Sequence, residues 1–225
     1  MLLSDLDRPG IDFFDVDHTI VDSSTSLQFL WTGIRLGHFS PTTFLSVPLF
    51  LWQYYLSELD MNKVQRAMRG FGGFTDEELV HLGNLNFEHN IRPRIFDESE
   101  LLFKSLKEQG RKLCFVTSSF FHAIQPLADH LQVNYVLANR MKYKDGRTSG
   151  EFQEPFLFGN EKKHQALSLI KQLHYSPEQC SFYTDSINDL ALLEVIGTPV
   201  VVNPDKKLKR RATERGWKIL SFRKK

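Results

Sequence analysis

The sequence predicts an α/β protein in which a parallel β-sheet is covered by helices on both faces and interrupted by one long helical insertion. Two observations lead to this fold class. Short apolar runs, rich in β-branched and aromatic residues, alternate with stretches of helical spacing along most of the chain. Between Ile20 and about Arg92, however, no clear strand appears and helical, aromatic-rich sequence dominates. An interval of about 70 residues is too long for a loop inside a compact domain, so we expect a separate helical unit.

The predicted strands are short apolar runs that end in turn-forming or polar residues. They are Ile11–Phe14, Lys112–Val116, Tyr135–Ala138, Cys180–Tyr183 and Pro199–Val202, with a further terminal strand at Trp217–Phe222. The predicted helices are Glu98–Gln109, Phe121–Leu131, Glu161–Leu173 and Ile187–Val195. Strands that alternate with helices favour a parallel sheet. The segment Lys142–Phe152 contains Asp145-Gly146, a dipeptide typical of tight turns, and therefore predicts a β-hairpin.

The composition indicates a folded globular protein. Of the 225 residues, 41% are hydrophobic and 24% are charged, which excludes disordered, collagen-like and low-complexity classes. The two cysteines, Cys114 and Cys180, are too few for a disulfide framework or a four-cysteine zinc site. Both lie in apolar runs, so we interpret them as thiols of the core.

Charge is distributed unevenly along the chain. Residues 206–225 contain ten Lys or Arg and one Glu, which gives this basic tail a charge of +9, whereas the other residues sum to −8. Two interpretations stay open. The basic tail could contact phosphates or the surface of an anionic membrane, or it could be a solvated terminal helix that only balances charge. We expect no nucleic-acid partner.

The most apolar stretch is the segment Phe44–Leu56, which contains Pro48. A bilayer-spanning helix needs roughly 20 apolar residues, so we expect a buried or interfacial segment and no transmembrane helix. The first residues, MLLSDLDRPG, lack a basic region followed by a long apolar one. We therefore expect no secretory signal and a cytoplasmic protein.

Four polar groups stand at strand ends, where parallel α/β sheets bind their ligands. Asp15–Thr19, with the sequence DVDHT, follows the first predicted strand, and Thr117–Ser119 follows the second. Lys163 opens a helix after Gly159-Asn160, and Thr184–Asp189, with the sequence TDSIND, follows the strand CSFY. Each group alone is a weak signal, because such residues also cap helices and form loops. Together and in this order they indicate a functional site.

These residue types point to phosphoryl transfer. Carboxylates that converge at one edge repel one another unless a cation lies among them, and oxygen ligands favour Mg²⁺. A lysine and hydroxyls beside that cation form a site for a dianion such as phosphate. A carboxylate that touches both metal and phosphate can act as a nucleophile and form an aspartyl-phosphate. A second carboxylate two residues along can protonate the leaving oxygen and later activate water.

The order of the four groups resembles that of the motifs in the haloacid dehalogenase superfamily of aspartate-nucleophile phosphatases. The sequence is most similar to the phosphoserine-phosphatase-like branch, subfamily IB, whose helical cap is inserted just after the first motif. The similarity covers nearly the whole chain, including the closing run Gly197–Asp205. It implies a Rossmann-like catalytic core formed by residues 1–19 and 93–225, with a helical cap domain at residues 20–92.

The resemblance also implies roles for four carboxylates and a Mg²⁺ cofactor. Asp15 would be the nucleophile and a Mg²⁺ ligand. Asp17 would be the general acid and base, with its backbone carbonyl on the metal. Asp185 would be the third protein ligand, and Asp189 would orient a metal-bound water or the phosphate-binding lysine.

The remaining implied contacts hold the phosphate or its loop. Thr117 and Lys163 would hold the non-bridging phosphate oxygens, and Thr19 would fix the loop that aims Asp17. Lys163 is preferred over Lys162 because Leu167 follows it four residues later, in the helix register of the family. Lys162 stays open as the alternative.

Three departures from the branch affect the expected substrate. Phosphoserine phosphatases carry a glutamate that helps to bind the substrate ammonium, and Ser24 occupies that substrate-binding position here. Their second motif continues with two glycines, where this chain has Ser118, which we expect at the substrate, and Ser119. Their fourth motif reads Gly-Asp-Gly, where this chain has Thr184–Ser186. We expect a Mg²⁺-dependent phosphomonoester hydrolase of a small phosphorylated substrate, and we expect phosphoserine to be a poor one.

Other functions stay open from the sequence. The aromatic-rich segment 27–58 could form the core of the cap, or it could bind an apolar leaving group, with the basic tail on a membrane surface, as in a lipid-phosphate phosphatase. A phosphomutase would use the same covalent intermediate. A receiver-type signalling module also combines an aspartate, a hydroxyl, a lysine and Mg²⁺. Receivers, however, place the phosphoacceptor at a later strand and have no cap.

Overall fold

The computed structural model describes residues 9–39 and 69–223. Its centre is a six-stranded, fully parallel sheet with the strand order β3-β2-β1-β6-β7-β8. These strands are β1 (Ile11–Phe14), β2 (Lys112–Phe120), β3 (Tyr135–Asn139), β6 (Ser181–Thr184), β7 (Thr198–Val202) and β8 (Lys218–Leu220). Two further strands, β4 (Met141–Lys144) and β5 (Arg147–Phe152), pair with each other in an antiparallel hairpin.

Seven α-helices connect the strands within the described ranges. They are α1 (Thr25–Arg35), α2 (Asp76–Asn86), α3 (Asp97–Glu108), α4 (Phe121–Leu131), α5 (Asn160–Gln172), α6 (Leu190–Leu193) and α7 (Lys206–Arg215). A π-helical turn, Phe87–Ile91, follows α2 directly, and short 3₁₀ turns lie at Arg69–Phe71, Arg92–Arg94, Pro177–Gln179 and Ile187–Asp189. None of the described helices has both the length and the apolar character needed to cross a bilayer. The segment Phe44–Leu56 lies outside the described residues.

The sheet is buried on both faces, as its nearly continuous apolar strands predict. Alternate residues of β1 point to opposite sides because strand side chains have a period of two. Phe14 packs against Phe103 of α3 and stacks on Tyr183 of β6, with ring centroids 4.4 and 4.6 Å apart. Phe13 belongs to the other face, where α5, α6 and α7 supply the apolar partners. The predicted fold class, a parallel sheet with helices on both faces, is therefore confirmed.

A third apolar cluster joins the helical insertion to the rest of the molecule. Its insertion side consists of buried residues of α1, α2 and their flanks, namely Phe29, Leu30, Phe39, Phe71, Leu79 and Leu82. Phe120 and Ala123 meet them from the β2–α4 junction, and Met141 and Phe152 from the hairpin. Gly83 of α2 lies so close to the carbonyl oxygen of His122 that a Cβ atom would be 2.2 Å from it. This contact requires glycine.

The hairpin also binds the insertion through its backbone. Its turn residues Asp145 and Gly146 have φ angles of 51° and 76°, the left-handed pair that a tight hairpin turn requires. The amide of Thr148 donates to the carbonyl of Phe74 at 2.8 Å, and the carbonyl of Thr148 accepts from the amide of Gly73 at 2.7 Å. The segment of the insertion around Gly73 and Phe74 is thus hydrogen-bonded to the hairpin.

Most predicted elements agree with the structure within one or two residues. β2 is the exception among the strands, because it continues past Val116 to Phe120 with a shift in its pairing to β3. The predicted helix Ile187–Val195 divides into a 3₁₀ turn and the short α6. Cys114 and Cys180 are both buried, as expected. The division into a core and a cap at residues 19 and 93 stays a prediction.

Candidate active site

The site forms at the carboxyl ends of the three central strands. Phe14, the last residue of β1, pairs with Phe115 of β2 on one side and with Tyr183 of β6 on the other. Asp15 therefore leaves the sheet between Thr117 and Asp185, which continue the neighbouring strands. The sheet topology alone brings these three predicted site residues to one edge.

Lys162 contacts carboxylates from both the first and the fourth polar group. Its ammonium nitrogen lies 2.9 Å from Oδ1 of Asp15 and 2.9 Å from Oδ1 of Asp189, and the lysine side chain is only 1% exposed. Thr184 completes the contact, because its hydroxyl donates to Oδ2 of Asp189 at 2.7 Å. Asp189 thus orients the lysine, one of the two roles that the family resemblance implied for it.

Lys162, the alternative to the preferred Lys163, is the lysine that contacts Asp15. Lys162 holds that position, and Lys163 lies one residue further round α5 with a half-buried side chain. The buried face of α5 consists of Lys162, Ala166, Leu169 and Ile170. This face has the spacing of four and seven residues that defines one side of a helix. The register counted from Leu167 was one residue off, because Leu167 lies at the edge of that face.

The cluster holds more negative than positive charge. Burial raises the pKa of Asp15 to about 7; Lys162 opposes this shift and the charge of Asp189 adds to it. The pKa of Asp185 is raised well above its usual range, first by burial and then by repulsion from Asp15 and Asp189. Three carboxylates around one ammonium group therefore form a site that favours an additional cation.

The donor set fits Mg²⁺. Within residues 9–39 and 69–223, no group of three or more His, Cys, Asp or Glu side chains is arranged to hold a metal ion by itself. Mg²⁺ is commonly bound by one or two carboxylates and keeps several waters. Asp15 and Asp185 can supply those carboxylates, and the backbone carbonyl of Asp17 can supply a third oxygen. Thr19 donates to Oδ1 of Asp185 at 3.2 Å, so it orients this carboxylate.

Asp17 is held by a separate set of donors. Its Oδ1 accepts from the amide and the hydroxyl of Thr25, at 2.9 and 2.6 Å. Its Oδ2 accepts from the hydroxyls of Ser24 and Ser119, at 2.9 and 3.2 Å. Ser24, which was expected at the substrate, therefore gives its hydroxyl to Asp17. Thr19 was expected to fix the loop of Asp17, but its hydroxyl contacts Asp185 instead.

The last residues of β2, after Thr117, are held in place by hydrogen bonds. Thr117 is 1% exposed, and its hydroxyl oxygen accepts from the amide of Ser119 at 3.1 Å. The side chain of Asn139 donates to the carbonyl of Ser118 at 2.8 Å and accepts from the amide of Leu157. The hydroxyl of Ser118 is buried and has no hydrogen-bond partner within the described part of the chain. It is therefore a polar group that a phosphate oxygen could satisfy.

The comparison with protein families decides the identity of this arrangement. A family model described as haloacid dehalogenase-like hydrolase matches residues 13–194, which include every site residue named above. The chain belongs to the haloacid dehalogenase-like hydrolase family. The resemblance of the four polar groups to the motifs of this family is thereby confirmed.

Curated relatives and solved structures are similar to most of this chain. A probable phosphatase of Mycobacterium tuberculosis is 30% identical over 214 residues, which cover 93% of this chain and 74% of the relative. A phosphoserine phosphatase of the same species is 29% identical over 226 residues, covering 97% and 72%. A Bordetella pertussis protein of unknown function superposes with a TM-score of 0.84 at 21% identity, covering 95% and 98%. A substrate-bound phosphoserine phosphatase superposes with a TM-score of 0.69 at 18% identity, and the match covers 95% of this chain and 93% of that structure. The chain is a hydrolase of the phosphatase type.

Sequence reasoning missed several residues of this hydrolase site. Asn139 positions the second motif but carries no motif signal of its own, and Thr184, which begins the fourth motif, had no role assigned to it. Thr25 and Ser119 meet at Asp17 although they are 94 positions apart in the chain. The choice between Lys162 and Lys163 required the packed face of the helix, on which Lys162 lies in line with Ala166 and Ile170.

Proposed function

We propose that this chain is a Mg²⁺-dependent phosphomonoester hydrolase that forms an aspartyl-phosphate on Asp15. The observation that carries the proposal is the position of Asp15. Its carboxylate is buried at the end of the central strand, touches the ammonium of Lys162, and lies in a cluster with excess negative charge. Nothing in a structural role requires three carboxylates around one lysine, whereas a nucleophile that shares a cation and a phosphate does.

Each residue has a defined task in this reaction. A carboxylate oxygen of Asp15 attacks phosphorus while the bond from phosphorus to the ester oxygen breaks. Asp17, protonated at that moment, gives its proton to the departing oxygen, so the product leaves as an alcohol. Lys162 and Thr117 hold the non-bridging oxygens, whose charge grows during transfer. Water then attacks the phosphoryl group, Asp17 takes a proton from this water, and phosphate and free Asp15 result.

Mg²⁺, held by the side chains of Asp15 and Asp185 and the carbonyl of Asp17, would neutralise the carboxylates and the phosphate oxygens when bound. Asp189 keeps the ammonium of Lys162 directed at Asp15 through its contacts at 2.9 and 3.0 Å. Thr184 in turn fixes Asp189. We propose residues 20–92 as the cap that closes over this edge of the sheet.

The site supports a preference against phosphoserine. A substrate ammonium would need a carboxylate partner, and Ser24 occupies the position expected for it. The hydroxyl of Ser24 is engaged with Asp17. A charge-assisted hydrogen bond is worth about 1.5–3 kcal/mol, or roughly 10–150-fold in affinity. The name of one relative, a phosphoserine phosphatase, favours the opposite preference. We propose an ester without an ammonium group near the phosphate, and with an apolar leaving group, as the better substrate.

The experiment compares kcat/KM on phosphoserine, a sugar phosphate and a short-chain lipid phosphate, with and without EDTA. We expect activity only with Mg²⁺ and the lowest kcat/KM on phosphoserine. Acid-quenched enzyme should carry one added phosphoryl group by mass, and Asp15→Asn should carry none. Preference for phosphoserine would overturn the substrate proposal. An unmodified wild-type chain during turnover would overturn the covalent mechanism.

The same experiment treats the alternatives. Sustained release of phosphate over many turnovers identifies a hydrolase, whereas a phosphomutase returns the phosphoryl group to its substrate. Membership of the hydrolase family excludes the receiver-type module. For the lipid alternative, the described tail favours the solvated-helix interpretation, because Arg211 and Arg215 of α7 form ion pairs with Glu194. The cytoplasmic location stays a prediction.

A further inference from the structure

The carboxylate of Asp17 accepts hydrogen bonds from two separate parts of the chain. Ser24 and Thr25 lie at the start of α1, which leads into the helical insertion, and Ser119 lies near the end of β2 in the sheet. Four donors from these three residues reach the two carboxylate oxygens at 2.6–3.2 Å. A carboxylate at the protein surface would receive such hydrogen bonds from water, whereas the protein supplies these four.

The start of α1 is built around this carboxylate. A serine at the N-cap position usually accepts a hydrogen bond from an amide of its own helix. Ser24 occupies the N-cap but makes no such bond, and its hydroxyl donates to Asp17 instead. The amide of Thr25, one of the free amides that every helix start presents, also donates to Asp17. Asp17 therefore takes the place of the missing cap.

Thr25 is the centre of the network. Its fully buried hydroxyl lies 2.6 Å from Oδ1 of Asp17 and 2.9 Å from the hydroxyl oxygen of Ser119. Each hydroxyl has one proton, so Thr25 donates either to Asp17 or to Ser119, and in the second case Ser119 is left to donate to Asp17. Ser119 also reaches Oδ2 of Asp17. The two hydroxyls and the carboxylate thus form a ring of three contacts that share two hydroxyl protons, of which at least one goes to Asp17 in every arrangement, and this ring fixes the rotation of the carboxylate.

We propose that Thr25, supported by Ser119, is a positioning residue that aims Asp17 at the leaving oxygen of the substrate. The inference rests on the proposed function, in which Asp17 is the general acid. Because one side of the ring belongs to α1 and the other to the sheet, the acid is aimed only while the insertion and the sheet keep their relative position. Thr25 itself touches neither substrate nor reacting atoms.

The test measures kcat/KM, which includes the step that expels the leaving group, on an alkyl phosphate and on an activated aryl phosphate. An alkyl leaving group needs the acid, and an activated aryl group needs it little, because general acid catalysis contributes ~10²–10⁴-fold only where the leaving oxygen is basic. Thr25→Val removes the hydroxyl and keeps the shape and the amide. We expect it to lose roughly 10–100-fold on the alkyl phosphate and less than about 3-fold on the aryl phosphate.

Two variants provide the controls. Thr25→Ser retains the hydroxyl and should restore the alkyl activity to within about 3-fold of wild type. Thr32→Val removes another buried threonine hydroxyl from the same helix, one that contacts Gln28 and Asn86 instead of Asp17. It should cost comparable thermal stability without changing the ratio of alkyl to aryl activity. If Thr25→Val is not recovered folded, Ser119→Ala tests the same ring.

The outcomes separate this inference from the proposed function. In an Asp17→Asn background, Thr25→Val should change the alkyl-to-aryl ratio no further, because there is no acid left to aim. Equal losses on both substrates in Thr25→Val would overturn the positioning role while Asp17→Asn still shows the leaving-group signature. If Asp17→Asn itself lacks that signature, the assignment of the acid fails, and with it the proposed mechanism.

Discussion

The two ends of strand β1 each carry a buried carboxylate beside a buried cation, yet they are arranged differently. At the amino end, Asp12 receives two hydrogen bonds from the guanidinium of Arg111, at 2.6 and 2.9 Å, and one from the hydroxyl of Ser181. The guanidinium also donates to the carbonyl of Gln179. One positive charge meets one negative charge in a two-pronged geometry that leaves neither group short of partners.

At the carboxyl end, one ammonium serves several carboxylates. Lys162 contacts Asp15 and Asp189, and Asp185 lies close enough to repel both. A lysine also lacks the planar fork that locks an arginine onto one partner. Burial, with a further contribution from the charge of Asp189, raises the pKa of Asp15 to about 7 against the opposing effect of Lys162. At Arg111, burial acts to lower the pKa, but the hydrogen bonds and charge of Asp12 outweigh it and the pKa is raised, so the guanidinium stays charged. The balanced pair is suited to hold the fold, and the unbalanced one to bind cations and phosphate.

The largest effect is expected from Asp15→Asn. The amide keeps the shape of the side chain but is a poor nucleophile, so activity should fall by roughly 10⁴–10⁶-fold. The melting temperature should not fall, because the change removes one negative charge from an excess. Phosphate release and a thermal melt check both statements. A variant with more than a few per cent of wild-type activity would remove Asp15 from the nucleophile role.

The opposite end should respond in stability and not in catalysis. Arg111→Met leaves Asp12 buried without its cation, and breaking a buried ion pair in this way costs about 3–5 kcal/mol. Urea denaturation measures this loss. The kcat/KM of the folded fraction should stay within about 2-fold of wild type, since Asp12 and Asp15 face opposite ends of the sheet.

The matched control for Arg111→Met removes both charges. Asp12→Asn combined with Arg111→Met should recover a large part of the lost stability, because no buried charge is then left alone. A double variant as unstable as the single one would show that the guanidinium contributes through packing instead of charge.

Substitutions of two adjacent lysines test the arrangement of charges at the carboxyl end of β1. Lys162→Met should lower kcat/KM by roughly 10²–10³-fold, the usual cost of removing one donor from developing negative charge in an active site. Lys163→Met changes the same residue type one position further along α5 and should cost less than about 3-fold. Steady-state kinetics on one aryl phosphate suffice. Larger losses in Lys163→Met would restore the lysine that the helix register first indicated.

The smallest effect concerns pH in the metal-free protein. The pKa of Asp15 is raised from 3.8 to about 7 on folding, so the folded state holds a proton that the unfolded chain releases near pH 4. This contribution to stability is complete below pH 4 and is lost as the pH rises towards 7. Melting temperatures in EDTA should therefore decline over this interval, and less steeply in Asp15→Asn.

Mg²⁺ should reverse that decline. It binds the folded state only, and at a concentration 100 times its Kd it adds about 2.7 kcal/mol of stability. The gain should be larger at pH 8 than at pH 5, because protons compete for the same carboxylates. An equal gain at both pH values would place the bound metal away from Asp15.

The fold was predictable because its signals are local. Each strand of the sheet is a short apolar run, and β1 and α4 agree with their predicted bounds residue for residue. The carboxylates of the site were predictable as well, since the sheet topology places every strand end at one edge. The choice between Lys162 and Lys163 was not predictable, because the two residues are identical in type and only the packed face of α5 distinguishes them.

Hydroxyl contacts between residues far apart in the chain were also not predictable from the sequence. Thr25 and Ser119 have no pattern that pairs them, and a serine at a helix start normally predicts a cap. Only the approach of α1 to the end of β2 turns these residues towards Asp17. The same holds for Thr148, whose partners in the insertion lie 74 and 77 positions away.

That last contact bears on how the gene could be recombined. A chimaera that takes residues 20–92 from a relative would bring a foreign edge to the hairpin 141–152, which must match Gly73 and Phe74 through the backbone of Thr148. Grafting the insertion together with the hairpin preserves both hydrogen bonds and the aromatic surface between Phe152 and the insertion. The exchangeable module of this enzyme is therefore discontinuous, made of two stretches of coding sequence with β2 and its site residues between them.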